Sequence, residues 1–171
     1  MDAVTVLRSE LKQAHDIIEQ AVAGLPHEQL HHRADGSTIH SIATIYAHTV
    51  LAEDYFVNGR IHDRAPLFDR DNWSAMAGIE MLPMGTDPEP WLASIATVDF
   101  VALRQYAEQV YAESDDALAG LSESDLDRPV KFVDEMPLGA FLSNVIAWHA
   151  VHHGGEICAL KGVQGGKGLP F

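Results

Sequence analysis

Residues 138–161 read LGAFLSNVIAWHAVHHGGEICALK. At 100° per residue, Leu142, Val145, His149, His153, Glu156 and Leu160 fall within about 80° of arc. The stretch therefore reads as a helix whose core-facing stripe carries two imidazoles and a carboxylate. His149 and His153 stand at i,i+4, the spacing at which one helix can offer two ring nitrogens to one ion. Gly154-Gly155 is unusual in a helix interior, where each glycine costs about 1 kcal/mol relative to alanine. Close approach of a neighbouring helix is the simpler reading, and room beside an ion is the functional one.

Helical periodicity extends outward from this segment. Val4, Leu7, Leu11, Ala14, Ile18 and Val22 form one apolar face over residues 2–23, stopped by Gly24 and Pro26. A polar loop, Leu25–Gly36, leads to a second predicted helix over 38–58, capped by Asp35 or Ser37 and ended by Gly59. Its apolar arc holds Ile42, Ile45, Thr49, Ala52 and Phe56, with His48 at the edge. Residues 60–86 are irregular, a long connection in which Trp73 and Met76 can line a cleft, form a dimer surface or cover the core. Asp87-Pro88-Glu89 is a helix start, and a helical pattern runs on to Ala119, with a second start near Thr97–Asp99. A loop over Leu121–Pro137 precedes the last helix, and residues 162–171 form a glycine-rich tail expected to be flexible. No segment shows the two-residue alternation of strands. The reading is an all-α four-helix bundle in a single domain over 1–171.

Composition narrows the function. Eleven Lys and Arg against 25 Asp and Glu leave a formal charge of −14. Such a chain lacks the electrostatic footprint for nucleic acid or an anionic lipid surface. No segment has the length and hydropathy to span a membrane. A hydrophobic content of 47% excludes disorder. One cysteine excludes a disulfide framework within the chain and, with no signal peptide visible, suggests a cytoplasmic setting.

Ten histidines nearly equal the Lys and Arg count. A lone histidine on an apolar face is more often a core residue bonded to a backbone carbonyl. Two at i,i+4 on a core stripe, with no Lys or Arg nearby, leave that reading and the metal reading level. If the second and fourth helices adjoin, His48, His149 and His153 can converge. Three nitrogens with an open position are the arrangement of a catalytic rather than a closed structural metal site. His152 points about 60° off this line in ideal helix geometry. His15, His27, His31, His32, His40 and His62 read as solvated. Glu156 reads either as an acceptor for an imidazole, with an acid–base role near the ion, or as a salt-bridge partner for another helix. Tyr55 is a second general-base candidate. Cys158 lies about 140° from His153 around the helix and reads as packing. The two Glu-x-x-His helices of a di-iron bundle are missing.

The run Ser41-Ile-Ala-Thr-Ile-Tyr-Ala-His48, followed by Ala52-Glu-Asp54, resembles the second-helix motif of the DinB-like superfamily. His149-Ala-Val-His-His153-Gly-Gly-Glu156-Ile157 resembles that family's fourth-helix motif, with Glu156 where glutamine is usual. The resemblance covers nearly the whole chain. It implies an up-down-down-up bundle with a long crossover between helices two and three. It also implies His48, His149 and His153 as ligands of a divalent metal; nickel, zinc, iron and manganese all suit imidazole donors. Related members include transferases and isomerases that use bacillithiol, mycothiol or glutathione, and homodimers are frequent among them. The expectation is a metal-dependent enzyme acting on a small molecule, first a low-molecular-weight thiol S-transferase and second a hydrolase. The alternative is a non-catalytic metal- or ligand-binding dimeric bundle.

Overall fold

A computed structural model describes residues 2–83, 86–95 and 97–169. Helix α1 spans Ala3–Val22, with Asp2 accepting the Thr5 N–H at 2.7 Å as its cap. Helix α3, Ile42–Asp54, begins at Ser41, whose hydroxyl accepts the Thr44 N–H. The cap is thus Ser41 rather than Asp35 or Ser37, because residues 32–41 run as irregular chain after a short helix α2, His27–His31. Gly59 does not end the helix. The chain widens into a π-helical segment, Tyr55–Ile61, closed by a bond from His62 N–H to the Val57 carbonyl.

The crossover contains two short helices, α4 (Leu67–Arg70) and α5 (Trp73–Ala77). Helix α6 (Glu89–Ser94) starts at the expected Asp87-Pro88-Glu89. Helix α7 (Phe100–Ala119) takes the second start: the Asp99 carboxylate accepts the Val101 and Ala102 N–H groups at 3.0 Å. After a 3-10 turn, Glu123–Asp127, comes a feature the periodicity missed. Strands β1 (Pro129–Lys131) and β2 (Glu135–Pro137) pair antiparallel in a small hairpin. Each has three residues, too few to display alternation. Helix α8 (Leu138–Phe141) then runs through a second π segment, Leu142–Ala147, into α9, Trp148–Val163. A Schellman motif ends α9, with Gly166 N–H on the Lys161 carbonyl and Gly165 at φ 85°.

Helices α1 and α3 each pack against both α7 and α9. Arg8 meets Asp115 and Glu19 meets Arg104, so α7 runs opposite to α1. Glu19 meets Tyr46 and His15 meets Glu53, so α3 also runs opposite to α1. Lys161 reaches the Ala21 carbonyl and Gly154 packs on Ile18, so α9 runs alongside α1. The architecture is all-α apart from the hairpin. Ile18, Ile42, Leu51, Leu103, Leu138 and Phe141 fill the centre, each contributing about 1.5–3 kcal/mol by leaving water.

Candidate metal centre

Helix α3 is the innermost helix, and its sequence explains why. Apolar residues occupy almost every turn, and every residue of Ile42–Asp54 is buried except His48. His48 is half-buried where α3 faces α9. Across that contact stand His149 and His153. The side of α9 that is most deeply buried is Ala150, Gly154, Ile157 and Cys158, a step round from the predicted stripe. The π segment before α9 adds a residue per turn and shifts the helical phase. His149, His153, Glu156 and Leu160 consequently sit half-buried at the core's edge.

One ring nitrogen from each of His48, His149 and His153 lies within 4.8 Å of the others. His48 Nε2 and His149 Nε2 are 3.1 Å apart. Two imidazoles on one tetrahedral zinc would place their nitrogens about 3.3 Å apart, so the pair fits an ion with almost no movement. The rings meet edge-on, with centroids 4.5–5.0 Å apart. Among the described residues, no cation or carboxylate forms a hydrogen bond or ion pair with His48 or His149. Burial first, and the neighbouring histidines second, push the His48 pKa down to about 4 and that of His149 to about 3. Both are therefore neutral at pH 7, the form that binds metal. His48 Nδ1 is buried with no hydrogen-bond partner among the described residues.

His153 Nδ1 donates to the Glu156 carboxylate at 2.9 Å. That bond selects the tautomer whose Nε2 lone pair is free for the cluster. Of the two readings of Glu156, the structure favours the imidazole acceptor. Gly154 has the simpler of its two explanations: a Cβ there would meet Ile18 Cγ1 at 3.2 Å, so glycine lets α9 lie against α1. At Gly155 a Cβ would meet nothing within 4 Å, and the residue faces open space.

A cleft of about 440 Å³ opens beside His48 and His149. Tyr55 and Phe56 enter it from the first π segment, Val145 from the second, and Phe132 from the hairpin tip. The sequence carried no sign that residues 132–133 or Arg60 would reach this place, since both depend on how distant segments pack. Trp73 is buried against Tyr106 and covers the core, while Met76 is exposed; neither lines the cleft.

Two histidines read as solvated are buried. His15 bonds the buried Glu53 at 2.8 Å and stacks on Tyr111, and His40 meets Glu89 at 3.0 Å. Their partners come from elsewhere in the chain, so local polarity did not reveal them. Cys158 is buried, and burial pushes its thiol pKa up, in keeping with a packing role.

A helical bundle with three convergent imidazoles beside a mainly apolar cleft defines a class of metal-binding helical proteins. The DinB superfamily pattern matches residues 10–157, and the chain belongs to that superfamily, whose members generally bind metal. A conserved protein of Enterococcus faecalis, known from its crystal structure, superposes with a TM-score of 0.79. The match covers 96% of this chain and 99% of that one at 17% identity, a likeness of fold. No curated protein matches the chain. No helix among the described residues is long and apolar enough to cross a membrane.

Proposed function

We propose that this protein is a metal-dependent enzyme in which His48, His149 and His153 hold one divalent ion at the floor of the cleft. The observation that carries this reading is the convergence of three imidazole ring nitrogens within 4.8 Å, at the edge of the core. Nickel, zinc, iron or manganese suits this donor set. Such an ion supplies Lewis acidity that makes a water or a thiol nucleophilic near neutral pH.

The chain's own residues do the rest. The Glu156–His153 bond fixes one ligand's tautomer. Burial keeps His48 and His149 deprotonated, so binding an ion there displaces no proton at neutral pH. Phe56, Val145 and Phe132 exclude water from one side of the site. The reaction proposed is S-transfer to or from a low-molecular-weight thiol, or hydrolysis, by a cytoplasmic homodimer of single-domain chains.

Elemental analysis of tag-free protein tests the site. One divalent ion per chain is expected in the parent, and strong depletion in His48→Ala, His149→Ala and His153→Ala. Stoichiometric metal surviving in all three variants would overturn the assignment. Turnover of a thiol with an electrophile, or of an ester or amide, separates an enzyme from a bundle that only binds metal.

A further inference from the structure

The cleft contains a cation with no carboxylate partner. Arg60 lies in the cleft wall and is held over the Tyr55 ring, its guanidinium carbon 5.2 Å from the ring centroid. Arg60 is the one Lys or Arg among the described residues that line this cleft. Arg8, Lys12, Arg64, Arg70 and Arg104 each meet a carboxylate within 4 Å. Arg60 meets none among the described residues.

Two further observations lie at the same place. The two π-helical segments, Tyr55–Ile61 and Leu142–Ala147, both line this cleft. Such windings recur at functional sites, because they turn side chains out of the regular helical order. Arg60 is the exposed residue of the first one, standing at the cleft wall. In addition, Phe132, Val133 and Trp148 are exposed at 39%, 78% and 59%, and all three line the cleft. Clustered exposed apolar groups around a concave wall mark a binding surface rather than scattered surface residues.

We propose that the cleft binds an organic monocarboxylate: a mainly apolar or aromatic body seated on Phe132, Val133 and Trp148, with its carboxylate on Arg60. The guanidinium fork matches a carboxylate in two parallel hydrogen bonds. One cation balances one charge. With the carboxylate on Arg60, the body of the ligand shares the cleft with His48 and His149. This assignment of the ligand class rests on the cleft being the substrate site of the proposed enzyme.

Calorimetry on the whole, tag-free chain with 4-phenylbutyrate and its uncharged analogue 4-phenylbutyramide tests it. The carboxylate is expected to bind about fivefold more tightly than the amide, the size of a partly solvated ion pair. Arg60→Gln should bring that ratio to about one while leaving the amide's affinity unchanged, and Arg60→Lys should retain part of it. Phe132→Ala should weaken both probes alike. The same ratio is expected after metal is stripped with chelator, because Arg60 and not the ion recognises the charge. The proposal is overturned by a ratio near one in the parent, by a ratio unchanged in Arg60→Gln, by a ratio that vanishes with the metal, or by no binding of either probe. Failure of the metal site would appear separately, as protein without bound metal whose probe ratio still depends on Arg60.

Discussion

Two of the polar groups on helix α3, His48 and Asp54, differ in how their partners are supplied. Asp54 is fully buried and fully partnered. Its carboxylate accepts the Leu67 and Phe68 N–H groups at 2.9 Å, the Tyr106 hydroxyl at 2.6 Å, and the Asn58 amide. The backbone donors open helix α4, so one side chain ties the crossover to the bundle. His48 is only half-buried, yet it has an orphaned ring nitrogen and faces two other imidazoles. A buried polar group whose partners are all protein atoms holds a fold together. The ring nitrogens of His48, His149 and His153 instead converge on one another within 4.8 Å, an arrangement that could hold a metal ion.

The comparison can be broken at several points. The largest effect is expected from Asp54→Ala, which strands two backbone donors and the Tyr106 hydroxyl. A loss of about 3–4 kcal/mol in urea unfolding is expected, and a loss under about 1 kcal/mol would show that the network is not structural. At the other centre, added metal should stabilise the chelator-treated parent by about 2.7 kcal/mol at a hundredfold excess over its dissociation constant. His149→Ala should abolish that gain, so an equal gain in the variant would remove the distinction between the two centres.

Acid sharpens the same contrast. In metal-free protein His48 titrates at about 4 and His149 at about 3, whereas in the unfolded chain each titrates near the ordinary histidine value of 6.5. Between those values the unfolded chain binds more protons, so their contribution to stability is whole above pH 6.5 and declines as pH falls toward 3. His149→Phe should therefore lose stability less steeply than the parent between neutral pH and about pH 4.5 in urea titrations. Parallel slopes would mean that His149 is not held neutral by burial. The smallest effect is expected at the glycine pair. Gly155→Ala should raise stability by about 0.5–1 kcal/mol, while Gly154→Ala should give no such gain against Ile18. Equal gains in thermal melts would show that α1 and α9 are not in close contact there.

Much of the fold was legible because its signals are local. Gly24, Asp87-Pro88, Asp99 and Gly120 punctuate the helices where caps and breakers act on adjacent backbone. The hairpin was not legible, because three-residue strands are too short for a period and their pairing depends on the chain between them. The π segments were not legible either, since widening a helix by one residue follows from packing and has no fixed sequence mark. His15 and His40 looked like surface residues until Glu53 and Glu89 came to them from other helices.

By itself the sequence determined that the chain is helical, where α1, α6 and α7 begin, and that His149 and His153 share one face of the last helix. Those follow from a period of about 3.6 residues and from side chains acting on their own turn. Only the tertiary structure decided that His48 closes the cluster from 101 residues away, that Arg60 and Phe132 reach the same cleft, and that Asp54 is satisfied while His48 is not. Contacts between distant segments are set by how helices pack, and packing depends on all their faces at once.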